Sequence, residues 1–347
     1  MDSGTEISRR RGRLASWAAL LAVAALAACG TDPASTAAAA PSAPASAAER
    51  TPPPSPSTGK PGKPGKTGQS GEIGESGEAG GRAAAPSASP DEAAPPAPDE
   101  RIPRDPAKLA KALETTTRRL HDAIDGWTGD GGTAKGGPPR AVVLQALYQQ
   151  RIYRFTARNP GVASRAFARL PARLAAEARD NTTAIRGLLE LAHPVKDASK
   201  FRIEEPPAAS ALLRHFKKAE RRFGVEWEVL ASVMFAETKF GRVRSPSYVG
   251  AKGPMQFMPG TWKAYGMGGD IHDPGDAVMA AANYLHASGA PRDYRRALYA
   301  YNHSRAYVDA ILLHARQIKR DPRNYYAYYN WQVFVITTKG ERRISGP

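Results

Sequence analysis

The chain has 347 residues, one cysteine and a formal net charge of +16. A lone cysteine excludes any disulfide within the chain, so the fold must be held by packing. So basic a protein points to anionic surroundings such as membrane headgroups, an acidic polymer or nucleic acid, but no nucleic-acid-binding motif occurs.

Residues 1–28 read as an export signal. Arg9, Arg10, Arg11 and Arg13 precede an apolar run from Leu14 to Ala28, a basic start followed by a short apolar core. That run, about 15 residues, is shorter than the roughly 20 a spanning helix needs. Leu26-Ala27-Ala28-Cys29 resembles the bacterial lipobox, whose cysteine is lipidated and becomes the new N-terminus. On that reading Cys29 carries a lipid that holds the protein at the outer face of the cell membrane. Export also argues against a nucleic-acid partner. Losing residues 1–28 removes four arginines and two acids, which leaves about +14.

Residues 29–103 form a tether rich in Ala, Pro, Ser, Gly and Thr. Such a segment buries too little apolar surface to offset its chain entropy and is expected to be disordered. Residues 59–79 hold seven unbroken Gly-X-Y triplets, from Gly59 to Ala79, with lysines first and glutamates after. That pattern can wind into a collagen-like trimer, because only glycine fits at the crowded axis. Seven triplets with two prolines are short for that, and a flexible spacer in a monomeric protein is preferred.

Residues 104–200 are expected to be a helical accessory region. Asp105-Pro106 offers a cap followed by proline at the first helical position, and Leu109, Leu113, Leu120 and Ile124 keep helical spacing up to Gly126. Val142, Val143, Leu147 and Tyr148 open a second helix. Leu170, Leu174 and then Leu188, Leu189 and Leu191 mark a third stretch. No acid, histidine or nucleophile there falls into a recognisable constellation.

Residues 201–312 are read as the catalytic domain. Leu212, Leu213, Phe216, Ala219 and Phe223 make an amphipathic helix ended by Gly224. In the next helix Leu230, Val233, Met234 and Glu237 fall at i, i+3, i+4 and i+7, so one acid completes an apolar face. A buried carboxyl without a cation is pushed toward its neutral form, and one that keeps its proton near neutral pH can act as a general acid. Asp273-Pro274-Gly275-Asp276 starts another helix, Tyr294 to Tyr301 makes a further one, and Ser304 can cap the helix through Leu312. Residues 313–347 hold an aromatic run, Tyr325 to Trp331, expected to pack over the helices and lead into a strand, with Lys339-Gly340 turning a hairpin.

Three motifs carry the chemistry. Glu237-Thr238-Lys239-Phe240, then Gly250-Ala251-Lys252-Gly253-Pro254-Met255-Gln256-Phe257-Met258-Pro259-Gly260-Thr261-Trp262, then Ala300-Tyr301-Asn302 occur in order. Together they resemble the lytic transglycosylases of the lysozyme-like superfamily, over roughly residues 207–312. The resemblance implies a mainly α fold (α+β, lysozyme-like) without cofactor or metal. It implies cleavage of peptidoglycan between N-acetylmuramic acid and N-acetylglucosamine, leaving a 1,6-anhydro ring, with Glu237 as the single acid and then base.

By position, the resemblance gives Gln256 a hydrogen bond to the glycan. Tyr301 would bring its hydroxyl to Glu237, Asn302 would brace the backbone, and Met255, Phe257 and Met258 would supply an apolar floor. Of Ser245 and Ser247, register from Gly250 favours Ser247 as a partner of the carboxyl or the N-acetyl group. A hydrolase normally places a second carboxylate about 5–9.5 Å from the first. No acidic residue lies between Glu237 and Asp270, and Asp270, Asp273 and Asp276 read as loop and cap residues. Two other readings stay open: a muramidase that uses water, and a catalytically silent wall-binding lipoprotein.

Overall fold

The structure is a computed structural model and describes residues 94–129, 134 and 136–347. The export signal, Cys29 and the Gly-X-Y stretch lie outside the described residues.

Among the described residues, eleven helices and one hairpin follow in chain order: α1 Pro106–Thr128, α2 Arg140–Arg158, α3 Pro160–Phe167, α4 Ala172–Glu190, α5 Ala209–Phe223, α6 Trp227–Thr238, α7 Pro259–Tyr265, α8 Pro274–Ala287, α9 Tyr294–Tyr301, α10 Arg305–Arg320, α11 Arg323–Tyr329, β1 Phe334–Thr337 and β2 Gly340–Arg343. Local chemistry accounts for many of their ends. The side chains of Asp105, Asp273, Asp293 and Ser304 accept from the backbone N–H groups of Lys108, Asp276, Arg296 and Tyr307. Such caps satisfy donors a helix start leaves orphaned, and each contributes about 1 kcal/mol. Gly224, at φ +69°, closes α5 in the left-handed conformation that glycine adopts without strain.

Helix α6 is the centre of the packing. Every residue from Val229 to Thr238 is buried, the pattern of a helix enclosed on all sides. α5, α8, α10 and α11 pack around it. The helices of residues 104–200 join the same hydrophobic cluster, which runs from Leu109 through Phe235 to Trp331. α4 packs along α10, and α1 against α2.

The aromatic run is helical, as α11, where a strand-bound segment was expected. Tyr325, Tyr326, Tyr328, Tyr329 and Trp331 are all buried. Tyr328 stacks on Phe235 of α6 with ring centroids 5.1 Å apart, and its hydroxyl donates to Asn181 of α4 at 2.7 Å. These rings need two turns of helix to reach partners on opposite sides. The hairpin follows, with Phe334 opposite Arg343 and Thr337 opposite Gly340.

Residues 98–101, which composition places in the tether, are docked. Arg151 of α2 donates to the carbonyls of Pro98, Asp99 and Glu100. Tyr148 reaches the carbonyl of Arg101, and Arg343 of β2 also reaches Pro98.

Candidate active site

Glu237 occupies the last turn of α6 and is 1% exposed. Its Oε1 accepts from the Tyr307 hydroxyl of α10 at 2.7 Å. Its Oε2 is buried with no hydrogen-bond partner. Burial pushes the carboxyl well above the usual range; the Tyr307 hydrogen bond and the Lys239 charge act in the opposite direction and do not overcome it. Its protonated form is therefore the one that the site favours. Burial and then the neighbouring Glu237 likewise raise Tyr307, so its phenol stays a donor.

The chain just past Glu237 is bent sharply. Lys239, Phe240 and Gly241 take φ values of +53°, +61° and +87°. Left-handed geometry costs a non-glycine residue roughly 1–2 kcal/mol, so two such residues in a row must be held by their surroundings. Thr238 provides part of the hold. Its hydroxyl accepts from the Gly241 N–H at 2.9 Å and donates to the Pro254 carbonyl at 2.6 Å. One side chain thus joins the end of α6 to the glycine-rich loop.

That loop is a small closed structure. The Ser247 N–H donates to the Ala251 carbonyl at 2.9 Å, and the Ser247 hydroxyl accepts from the Ala251 N–H at 2.9 Å. Lys252 and Phe257 pair their backbones in both directions at 2.9 Å. Gly253, at φ +74°, runs so close to Ile271 that a Cβ would lie 1.9 Å from its carbonyl oxygen. Gln256 sits at φ +50°. Its Nε2 donates to the Gly253 carbonyl at 2.9 Å, while its Oε1 is buried and unpartnered.

The structure corrects one expectation. The hydroxyl at Glu237 belongs to Tyr307, and Tyr301 donates to the Met255 carbonyl at 2.6 Å. Tyr301 is the last residue of α9, so its phenol meets the loop backbone. Tyr307 lies in the first turn of α10, where it faces α6. Phe257 packs on Trp262 and Tyr301, with centroids 5.4 and 5.9 Å apart. Met255, Phe257, Asn302 and Ser247 are all buried. Ser245 instead accepts from the backbone N–H of Arg202. Asp270, Asp273 and Asp276 bond neighbouring backbone N–H groups. No cluster of three metal-ligating side chains occurs among the described residues.

Two buried groups carry no sequence motif. His314 of α10 is buried and held down to a pKa of about 3, by burial first and then by Lys239. Glu177 of α4 is raised to about 7, by burial and then by Asp321. With Asp321 and His121 it lines a cavity of about 390 Å³ outside the loop just described.

A buried acid with a raised pKa at the end of a central helix, tied to a glycine-rich loop and facing a tyrosine, fits a site of the lysozyme-like class. Residues 214–320 match the family of the transglycosylase SLT domain, a stretch holding Glu237, Gln256, Tyr301 and Tyr307. The chain thus carries a lytic transglycosylase domain of the lysozyme-like superfamily, a family that acts on the peptidoglycan of the cell wall. Neither the curated proteins nor the solved structures include a match to the chain.

Proposed function

We propose that Glu237 is the single acid–base of a lytic transglycosylase that cleaves the β-1,4 bond between N-acetylmuramic acid and N-acetylglucosamine. The protonated carboxyl donates to the glycosidic oxygen as the bond to the anomeric carbon breaks. The resulting carboxylate takes the proton of the muramic C6 hydroxyl, whose oxygen closes on the anomeric carbon to give the 1,6-anhydro ring. No water is consumed, and the enzyme ends in its starting protonation state. The observation that carries this reading is the Glu237 carboxyl itself: buried, raised in pKa, with Oε2 unengaged. The groups that shift its pKa are Tyr307 and Lys239, not a second carboxylate, which favours an intramolecular nucleophile over the two-carboxylate scheme of hydrolases.

Around it, Gln256 would turn its unpartnered Oε1 to an acetamido N–H of the glycan. Met255 and Phe257 would floor the site, and Ser247 and Asn302 would hold the loops that contact sugar. Tyr301 would do so through Met255. Upstream, lipidated Cys29 would hold the domain outside the membrane. No described helix is long and apolar enough to cross a membrane.

The test is mass analysis of sacculi digested by the wild type and by Glu237→Gln. The wild type should release anhydro products, lighter by one water than hydrolytic ones. The variant should lose about 10³-fold or more in rate. Hydrolytic products would assign the site to a muramidase. An undiminished Glu237→Gln would remove this residue from the chemistry.

A further inference from the structure

Behind the Phe235 side of α6 lies a second, much smaller space. It is a cavity of about 30 Å³, and Lys239, Arg154, His314, Gln150, Phe235 and Trp331 are among the residues that line it. By the measure in which one water needs roughly 10–15 Å³, it takes one or two small species and nothing larger.

Its lining is mostly apolar, with three basic side chains, Lys239, Arg154 and His314, set into it. Lys239 is buried; its Nζ donates to the Phe235 carbonyl at 2.9 Å and lies 4.0 Å from the centroid of the Phe235 ring. His314 meets the same ring edge-on, with centroids 4.9 Å apart. Both His314 ring nitrogens are buried without a hydrogen-bond partner, although the residue is only 1% exposed. Gln150 offers the cavity little, since its amide donates to the Gln332 carbonyl and accepts from the Gln332 N–H. Arg154 is paired with Glu341, which must also serve Arg158. Arg154 and Arg158 therefore share one carboxylate, Lys239 is hydrogen-bonded to a neutral carbonyl, and Glu237, the acid whose field reaches Lys239, has its charged form disfavoured by burial. Buried charge needs a counterion or must be given up, and a buried imidazole with two idle nitrogens needs a partner.

We propose that this cavity binds one small monovalent anion of halide size, held by Lys239 Nζ, the Arg154 guanidinium and a ring N–H of His314. Lys239 stands between the two sites, two residues beyond Glu237. Burial and Arg154 lower its pKa to about 7. A bound anion opposes both effects and keeps Lys239 charged, so binding is tightest below pH 7 and weakens above it. The anion also offsets the pull of Lys239 on the Glu237 proton. The charged and titratable groups facing this pair are Arg154 from α2, His314 and Tyr307 from α10, and Tyr301 from α9. With the anion bound, the limb on which activity is lost with rising pH moves to higher pH. This activity effect rests on the function proposed above; the binding site does not.

The test uses chloride-35 NMR line broadening on the whole protein at constant ionic strength. Broadening should saturate with protein, be displaced by bromide, and be weaker at pH 8.5 than at pH 6. It should fall about tenfold in Lys239→Met, as loss of a charge-assisted contact implies, and fall clearly in His314→Asn. Absence of saturable broadening, or equal broadening in both variants, overturns the proposal. Should a variant not fold, crystals of the wild type in bromide decide. An anomalous peak in the cavity supports the site, and a water there at saturating bromide rejects it. Intact broadening in a protein that releases no anhydro product would fault the transglycosylase reading and leave the anion site standing.

Discussion

At Glu237 the two oxygens of one carboxyl have different surroundings. Oε1 is fixed by Tyr307 at 2.7 Å, and Oε2 has no partner. The hydrogen bond to Oε1 orients the acid and stabilises its charged form, which restrains a pKa that burial drives upward. Tyr307→Phe removes that restraint. Its rate should fall roughly 10–100-fold, the scale of a lost positioning contact. Because the acid then holds its proton more tightly, the limb of the pH–rate profile on which activity falls with rising pH should shift upward. A profile from pH 4 to 9 measures both effects. An unmoved limb would show that Tyr307 does not bear on the proton of Glu237. The sequence showed the acid plainly, because Glu237 lies in an apolar helical row and heads a motif. It hid Tyr307, because Ala300-Tyr301-Asn302 draws attention to the other ring, whose hydroxyl bonds the Met255 carbonyl. The signal was present: Tyr307, Ile311, His314 and Ile318 fall on one buried row of α10, and a tyrosine there needs an inward partner for its hydroxyl.

At the scale of elements, the site depends on how the end of α6 is held to the loop over residues 247–257. Thr238 makes that junction with two hydrogen bonds. Thr238→Val keeps the shape and leaves the Gly241 N–H and the Pro254 carbonyl unsatisfied, which should cost about 2–3 kcal/mol of stability. Denaturant unfolding measures this, with a fall in activity expected alongside. Gly253→Ala is more severe, since the added carbon meets the Ile271 carbonyl at 1.9 Å in a backbone at φ +74°. The expected result is an unfolded or inactive protein; a variant with normal activity would mean that the loop can open there at little cost. Helices α1 and α8 were legible because cap, proline and periodicity agree, and α5 because an amphipathic row ends at Gly224. The short α3 and α7 were missed, because eight or seven residues after a proline show too few turns for a pattern. The aromatic run was legible as cover for the helices ahead of a strand, but not as a helix of its own, because tyrosines favour strands in general and here tertiary contacts decide.

Across the whole molecule the accessory helices and the catalytic helices share one core, so charge buried in one part is felt as stability of both. Glu177 is raised to about 7 in the fold from an ordinary value near 4.5. Its protonated form is the one the fold accommodates. The stability tied to it is complete below about pH 4.5 and is lost as pH rises through 7. Glu177→Gln should therefore match the wild type at pH 4 and exceed it at pH 8 by up to about 3 kcal/mol. His314 works in the opposite sense. Its pKa is lowered to about 3, so stability is lost as pH falls from 6.5 toward that value. Thermal melts of Glu177→Gln and the wild type across pH 4–8 check both signs. A difference between Glu177→Gln and the wild type that does not grow from pH 4 to pH 8 would contradict the first. None of this coupling could be read from composition, since it depends on which acid ends up beneath which helix.

The docking of residues 98–101 bears on how the enzyme would behave when dragged. One guanidinium, that of Arg151, grips three successive carbonyls, and Arg343 of the hairpin shares the first of them. Tension entering from upstream is therefore taken up on α2 and the hairpin before it reaches α6. The polypeptide has a strain relief, as a cable has at its plug, and the alignment of acid and loop is spared the tugging of whatever the leading segment is fastened to.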